Sequence, residues 1–424
     1  MTHIGIIGAG ITGVTTAYAL NERGYDVTVF DRHRYAAMET SFANGGQLSA
    51  SNAEVWNKSS TALQGIRWML RRDAPLLMNP MPSWHKYSWM AEFVRHAPDY
   101  RQNTIETVRL AIEARRHMFA MAEREKIDFD LKRCGILHFY RDKASFDKAS
   151  RVNELLNAGG LERRPVTPEE IRQIEPTLKG SYYGGFFTPS DSTGDIHKFT
   201  RGLADACARR GVRFVYDAEV ESIAPKEGGG YEIRWLPVAP DDESAAAGVW
   251  RPIRVDAVVI CAGTASRRLA AMLGDRLNIY PVKGYSITVH LHTPESRDAA
   301  PTVSILDDAT KIVTSRLGPD RFRVAGTAEF DGFNRDIRHD RIRPLIEWSR
   351  EQFPRMATDR VVAWSGLRPM MPDMMPRVGP GRRPGVFYNT GHGHLGWTLS
   401  AATAQRVADA VGRAMPVAAQ RIAA

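Results

Sequence analysis

At 424 residues, with 43% hydrophobic and 25% charged side chains, the chain is long enough for two or three domain-sized units and apolar enough to bury a core, which excludes a disordered protein. Lys and Arg outnumber Asp and Glu by 57 to 48, a net +9, but the basic residues are spread along the chain and form no block that reads as a nucleic-acid arm, so no nucleic-acid partner is expected. The three cysteines, Cys134, Cys207 and Cys261, make neither a disulfide framework nor a zinc site, and no run of about 18 apolar residues offers a membrane span. Few thiols and an opening that runs straight into a strand lead us to expect a cytoplasmic chain without a signal peptide.

Residues 3–8 predict a short buried strand, residues 11–23 a helix stopped by Gly24, and residues 25–31 a second strand, which together make a parallel βαβ unit. Its first turn spells Gly8-x-Gly10-x-x-Gly13. The first glycine allows the tight turn, the second lets backbone approach a pyrophosphate, and the third lets helix and strand pack closely. The helix opens at Ile11 and Thr12 with free N–H groups and partial positive charge, which suits phosphate. Asp31 ends the second strand, where a carboxylate accepts ribose hydroxyls, and Arg32 beside it joins the same expected cofactor-binding set. An acid there disfavours a 2′-phosphate; taken alone, the unit fits either FAD or a nicotinamide dinucleotide.

Further on, residues 60–130 look mostly helical and residues 136–140 a strand. Residues 167–176 form a helix with a capping box, Thr167 to Glu170. A helix at 197–209 and strands at 212–216 and 219–223 follow; residues 226–248, rich in Gly, Pro, Asp and Ala, read as a surface excursion around one short strand. Residues 256–263 are an apolar strand ending in small residues. Residues 280–290, 302–330 and 361–366 have the alternation of an antiparallel sheet, and a helix runs from Gly396 to about Arg413. The fold class is therefore α/β, α+β overall. A discontinuous Rossmann-type dinucleotide domain (residues 1–60, 190–275 and 360–424) is interwoven with a substrate or cap domain of antiparallel sheet plus helices (61–189 and 276–359).

The loop Thr40-Ser-Phe-Ala-Asn44-Gly-Gly-Gln47 offers hydroxyl, amide and glycine groups just beyond Asp31, as a pyrophosphate and a flavin ring require. With it, several motifs occur in order over nearly the whole chain. They are Glu39-Thr-Ser-x-x-Asn44-x-Gly46-Gln47, Ile66-Arg-Trp-Met-Leu-x-Arg-x-Ala-Pro75, Thr193-Gly-Asp195, Tyr280-Pro-Val-Lys-Gly-Tyr-Ser286, Trp364-Ser-Gly-Leu-Arg-Pro369 and Asn389-Thr-Gly-His-Gly-His-Leu-Gly-Trp-Thr398. On these motifs the sequence resembles the D-amino-acid dehydrogenase small-subunit family, within the D-amino-acid oxidase-like flavoproteins that include glycine oxidase and sarcosine oxidase. The resemblance implies FAD, with contacts from Ser41, Asn44, Gly45, Gly46 and Gln47, from Val220 on the adenine side, from Ala262 and Gly263, and from Gly391 through Gly393, His394, Leu395, Gly396, Trp397 and Thr398. It also implies non-covalent binding, because Asn44 stands near where a His-attaching relative places its histidine. A helix starting near Gly396 would add a dipole that favours negative charge on a reduced flavin.

Amine oxidation by flavin calls for a rigidly held substrate rather than a strong protein base. A substrate carboxylate calls for an arginine fork, and Arg368 is the candidate, since the resembling family places its carboxylate-binding arginine in this motif. The alternative is a structural salt bridge. Tyr285 is a second candidate, for the carboxylate or for packing, and His392 and His394 are candidates for flavin or substrate contact or for structure. Asp195 and His197 are weaker candidates, and a helix-capping role explains Asp195 equally well. No metal spacing is present. Residues 65–94 mix Trp, Met and Tyr with Arg and Lys, which suits either a membrane surface, where a quinone-linked enzyme delivers electrons, or a helical cap. The expected activity is oxidative deamination of D-amino acids, or of cyclic D-imino acids such as D-proline and hydroxyproline, with electrons passing to a quinone or other respiratory acceptor. The alternatives are an oxygen-using oxidase of glycine- or sarcosine-like amines and a non-catalytic basic binding protein. Peripheral contact with the inner face of the cell membrane and the oligomeric state stay open.

Overall fold

A computed structural model describes residues 1–58, 76–238 and 249–416. In chain order the strands are β1 (His3–Ile7), β2 (Asp26–Phe30), β3 (Gln47–Leu48), β4 (Leu76–Met78), β5 (Ile136–Tyr140), β6 (Arg164–Val166), β7 (Gly184–Thr188), β8 (Ser192–Thr193), β9 (Arg213–Val215), β10 (Ala218–Pro225), β11 (Tyr231–Pro237), β12 (Arg251–Val255), β13 (Ala257–Ile260), β14 (Tyr280–His290), β15 (Ser304–Asp307), β16 (Ile312–Leu317), β17 (Arg321–Phe330), β18 (Val361–Met370), β19 (Arg377–Pro380) and β20 (Val386–Thr390). The α-helices are α1 (Ile11–Asn21), α2 (Trp84–Arg95), α3 (Tyr100–Glu125), α4 (Lys143–Ala158), α5 (Pro168–Ile174), α6 (Ile196–Arg209), α7 (Ser266–Met272), α8 (Pro294–Ala299), α9 (His339–Gln352) and α10 (Gly396–Ala414).

β1 and β13 are short apolar runs, and both lie inside a six-stranded sheet of order β19-β20-β13-β1-β2-β9. Strands buried on both faces need no polar alternation, which is why they read as continuous hydrophobic stretches. β1 pairs in parallel with β2 and with β13, so the βαβ unit forms as its spacing demands. α1, α3, α6 and α10 cover one face of this sheet and share one apolar core. The other face packs on the antiparallel meander β10-β11-β12.

The second sheet has nine strands in the order β18-β14-β17-β16-β15-β5-β7-β6, with β4 paired in parallel to β17. β14 runs antiparallel to β17 on one side and to β18 on the other, Tyr280 opposite Met370 through Val289 opposite Val361. The strand expected at 361–366 thus continues to Met370. Although the division at residue 360 assigns it to the dinucleotide part, it is the edge strand of the nine-stranded sheet. β4 interrupts the stretch expected to be helical, and α4, α8 and α9 were not expected, although Asp142 caps α4 and Thr293, followed by Pro294, caps α8. The capping box of α5 is formed as expected, with the Thr167 hydroxyl accepting from the Glu170 amide and the Glu170 carboxylate from the Thr167 amide. The motif at residues 66–75 lies outside the described residues, as do the first part of the aromatic and basic segment and residues 239–248 of the expected excursion.

Candidate functional site

A cavity of about 520 Å³ lies between the two sheets. Its wall brings together almost every expected site residue: Gly8, Gly10, Ile11 and Thr12; Asp31 and Arg32; Ser41, Asn44, Gly45, Gly46 and Gln47; Val220; Ala262 and Gly263; Tyr285 and Arg368; and residues 391–398. Gly13 is not on the wall. A Cβ there would sit 1.8 Å from the Gly8 carbonyl oxygen, so its work is close packing of helix on strand. Gly10 differs: a Cβ would meet only the Ser41 Oγ, at 3.5 Å, so protein does not fill the space beside it and the cavity does. Gly10, at the N-cap of α1, has no side chain to cap it, and the Ile11 amide donates to Ser41 Oγ at 3.0 Å. Asp31 follows β2 directly and accepts from the amides of Ala9 at 2.6 Å and His33 at 2.9 Å; burial raises its carboxyl pKa despite both bonds. Arg32 is paired to Glu39, which also binds His33 and Arg335. Burial opposes the Glu39 charge, but these partners prevail and hold its pKa at about 2.

The loop before β3 is clamped from the sheet side. Its carbonyls at Ala43, Asn44, Gly45 and Gly46 accept from Ser286 Oγ at 2.7 Å, Arg323 at 3.1 Å, Ser315 Oγ at 2.6 Å and the Gly194 amide at 2.9 Å. The amides of Ala43, Asn44 and Gly45 take no acceptor among the described residues. A loop whose acceptors are all used on one side presents donors on the other, as an electron-rich ligand edge requires. The Asn44 side chain accepts from the Gly46 amide at 2.9 Å, and the Gln47 amide nitrogen donates to Ser304 Oγ at 2.7 Å, which turns both inward. α10 likewise starts uncapped at the cavity wall. Thr398 donates to the Gln47 carbonyl and accepts from the Ser49 amide, stitching helix to loop. Trp397 packs its ring on Phe129 and Phe199 in the core.

Arg368 lies within β18 rather than after it, its guanidinium lining the cavity. Among the described residues its hydrogen bonds are long ones to the carbonyls of Lys283, at 3.5 Å, and Thr327, at 3.3 Å. No carboxylate pairs with it among the described residues, and desolvation alone brings its pKa down to about 10. Thr327 holds its carbonyl there from a left-handed backbone, φ +56°, at the bulge where β17 slips against β14. The Tyr285 hydroxyl is committed elsewhere, donating at 2.6 Å to Glu329, which also pairs with the fully buried Lys283. His392 is hydrogen bonded to Thr403 at 2.9 Å, and burial lowers its pKa to about 3. The His394 ring stacks on Trp56 and faces the Asn52 carbonyl at 3.3 Å; burial, then Arg368, lowers its pKa to about 4. Both imidazoles are neutral near pH 7. Asp195 caps α6 through the amides of His197 and Lys198 and pairs with Arg321, a structural role. Thr327, Trp56 and Arg335 were missed in the sequence because they lie outside any glycine or hydroxyl pattern.

The family profile described as FAD dependent oxidoreductase matches residues 3–410. The chain belongs to that family. The cavity fits FAD on its own evidence, through the open space at Gly10, two helix starts whose N-cap residues make no side-chain bond and the donor face of the clamped loop. Among relatives of this FAD-dependent oxidoreductase, D-amino acid dehydrogenase 3 of Mesorhizobium japonicum is 64% identical over 98% of each chain. D-amino acid dehydrogenase of Paramagnetospirillum magneticum is 40% identical over 96% of this chain and 94% of its own. Glycine oxidase from Geobacillus kaustophilus superposes with a TM-score of 0.73 at 21% identity, covering 97% of this chain and 95% of its own. L-proline dehydrogenase from P. horikoshii gives 0.72 at 16%, covering 97% and 93%. These two likenesses carry the fold. They set the two-sheet frame around the cavity as the architecture this flavoprotein shares.

Proposed function

We propose that this protein is an FAD-dependent D-amino acid dehydrogenase, which oxidises the α-amine to an imine that water converts to a 2-oxo acid and ammonia. One observation carries the substrate assignment: Arg368 lines the cavity with no acidic partner among the described residues, a planar cation left for an incoming carboxylate. The relatives' names support an amino acid of D configuration. FAD supplies the hydride acceptor when bound. Gly8, Gly10, Ile11, Thr12 and Asp31 hold its nucleotide half, with Val220, Ala262 and Gly263 beside it. The loop 41–47 and residues 391–398 hold the flavin half, without a covalent bond. Arg368 orients the substrate, and the neutral His394 and Trp56 wall off water behind it. Tyr285 shapes the pocket through Glu329 and does not donate to the carboxylate. The six-stranded sheet with the β10–β12 meander serves the cofactor, and the nine-stranded sheet, β18 included, serves the substrate.

Electrons then pass to a quinone or other respiratory acceptor, at the inner face of the membrane. Met81, ahead of α2, and Trp84 and Tyr87, in its first turn, are exposed at 71%, 84% and 48%, which supports a peripheral contact. No helix among the described residues is long and apolar enough to cross a membrane. The decisive experiment is anaerobic: the purified flavoprotein is mixed with D-, L- and N-methyl amino acids and with prolines, and flavin absorbance is followed. Bleaching by D-amino acids is expected. A flavin that stays oxidised with every D-amino acid would overturn the assignment.

A further inference from the structure

The wall of the same cavity also takes in residues of α4 and of the strands β5, β15 and β16, a part we call its second lobe. At its wall is Arg163, only 5% exposed. Its guanidinium meets neutral groups alone: Asn153 Oδ1 at 3.3 Å, the Tyr140 hydroxyl at 3.3 Å and the face of Phe186 at 4.5 Å. Its Nε has no partner, and no carboxylate lies within ion-pair distance of it among the described residues. A buried charge is costly unless it is paired, so an unpaired arginine on a cavity wall is a cation that lacks its counter-ion. Lys148 and Lys311 stand exposed on the wall of this lobe, against two acids there, of which Asp308 is already paired to Lys311 at 2.5 Å. Glu54, the other of the two, accepts from the Tyr100 hydroxyl at 2.5 Å. His138, between Arg163 and the Ser51 hydroxyl that it meets at 3.0 Å, is held neutral by burial and then by Arg163 and Lys311. The lobe is therefore positive, and the same continuous space reaches Arg368.

We propose that this lobe receives an anionic group at the far end of the substrate side chain. The protein then favours D-amino acids with a second carboxylate over neutral ones of equal length, and Arg163 is the residue that sets the preference. The inference rests on the Arg368 reading, which assigns the α-carboxylate to a different cation on the same cavity wall. Lys148 and Lys311 at the rim draw the dianion inward.

The test is a length series, D-aspartate, D-glutamate and D-2-aminoadipate, each beside a neutral D-amino acid of matched length, with kcat/KM read through an artificial electron acceptor. At one length or more the acidic substrate should exceed its neutral counterpart about tenfold, as a charge-assisted contact implies. Arg163→Met should reduce that ratio by a similar factor, and Lys148→Ala, at an exposed site, should reduce it less and in a salt-sensitive way. Glutarate and adipate, which cannot be oxidised, should perturb the flavin spectrum with a Kd that rises in Arg163→Met. Neutral substrates winning at every length, or Arg163→Met changing both series by one factor, would overturn the proposal. If no D-amino acid reduces the flavin, the functional reading fails instead, and dicarboxylate binding still decides the lobe.

Discussion

An arginine that binds substrate must stay charged and stay unsatisfied, and Arg368 meets both demands by sitting between two carbonyls and no acid. Lysine keeps the charge but not the fork. Arg368→Lys should raise KM for D-amino acids about tenfold to a hundredfold, the worth of a charged hydrogen bond, with the flavin spectrum retained. An unchanged KM would remove Arg368 from the substrate site. His392 and His394 give a second test. Their pKa values in the folded protein, about 3 and about 4, lie below the ordinary 6.5, so unfolding binds protons. Their contribution to stability is complete above pH 6.5 and is lost as pH falls toward 4 and then 3. Thermal melts should show Tm dropping over that window, less steeply in His392→Asn. The place of Arg368 on the cavity wall was legible because the resembling family carries its carboxylate-binding arginine in the same short motif. The commitment of Tyr285 to Glu329 was not, because the acid comes from a different strand and only the register of β14 on β17 brings them together.

At the scale of elements, the first turn separates two kinds of glycine. Gly13→Ala forces a Cβ into the Gly8 carbonyl and should destabilise even the cofactor-free protein, by about 1–3 kcal/mol as overpacking does. Gly10→Ala meets no backbone, so it should leave the melting temperature of the apoprotein unchanged and weaken FAD binding, read as fluorescence quenching on titration. Equal damage from both would dissolve the distinction. The bulge in β17 offers a third test. Thr327 is a β-branched residue with φ +56°, a conformation costing about 1–2 kcal/mol. Thr327→Gly should therefore raise Tm, by up to about 1 kcal/mol of stability once the flexibility of glycine is subtracted. The βαβ unit, β14 and α10 were readable because period and punctuation agree in them. β4 and the end of β18 were not, because three residues, or four ending in Arg-Pro-Met, carry too little pattern to outvote their surroundings.

For the molecule as a whole, the cavity is the seam between two sheets, and ligand binding must tie them together. Saturating FAD at a hundredfold excess over Kd should stabilise the protein by about 2.7 kcal/mol, and stripping the flavin should lower Tm in a manner that added FAD reverses. The interwoven architecture was legible from the order of parallel and antiparallel stretches, whereas which strand closes which edge required the pairings themselves. Pairing order also bears on synthesis. β1 sits beside β13 and β20 completes the sheet next to them, while the uncapped start of α10 closes the flavin end. Within this sequence the phosphate turn is made well before β13, β20 and α10, and its pocket closes only when those elements follow. A ribosome that stalls after β13 would leave that strand's edge bare and the pocket unfinished, a nascent chain with exposed backbone donors and acceptors that invites chaperones or proteases. Flavin capture is in this sense a late checkpoint on translation.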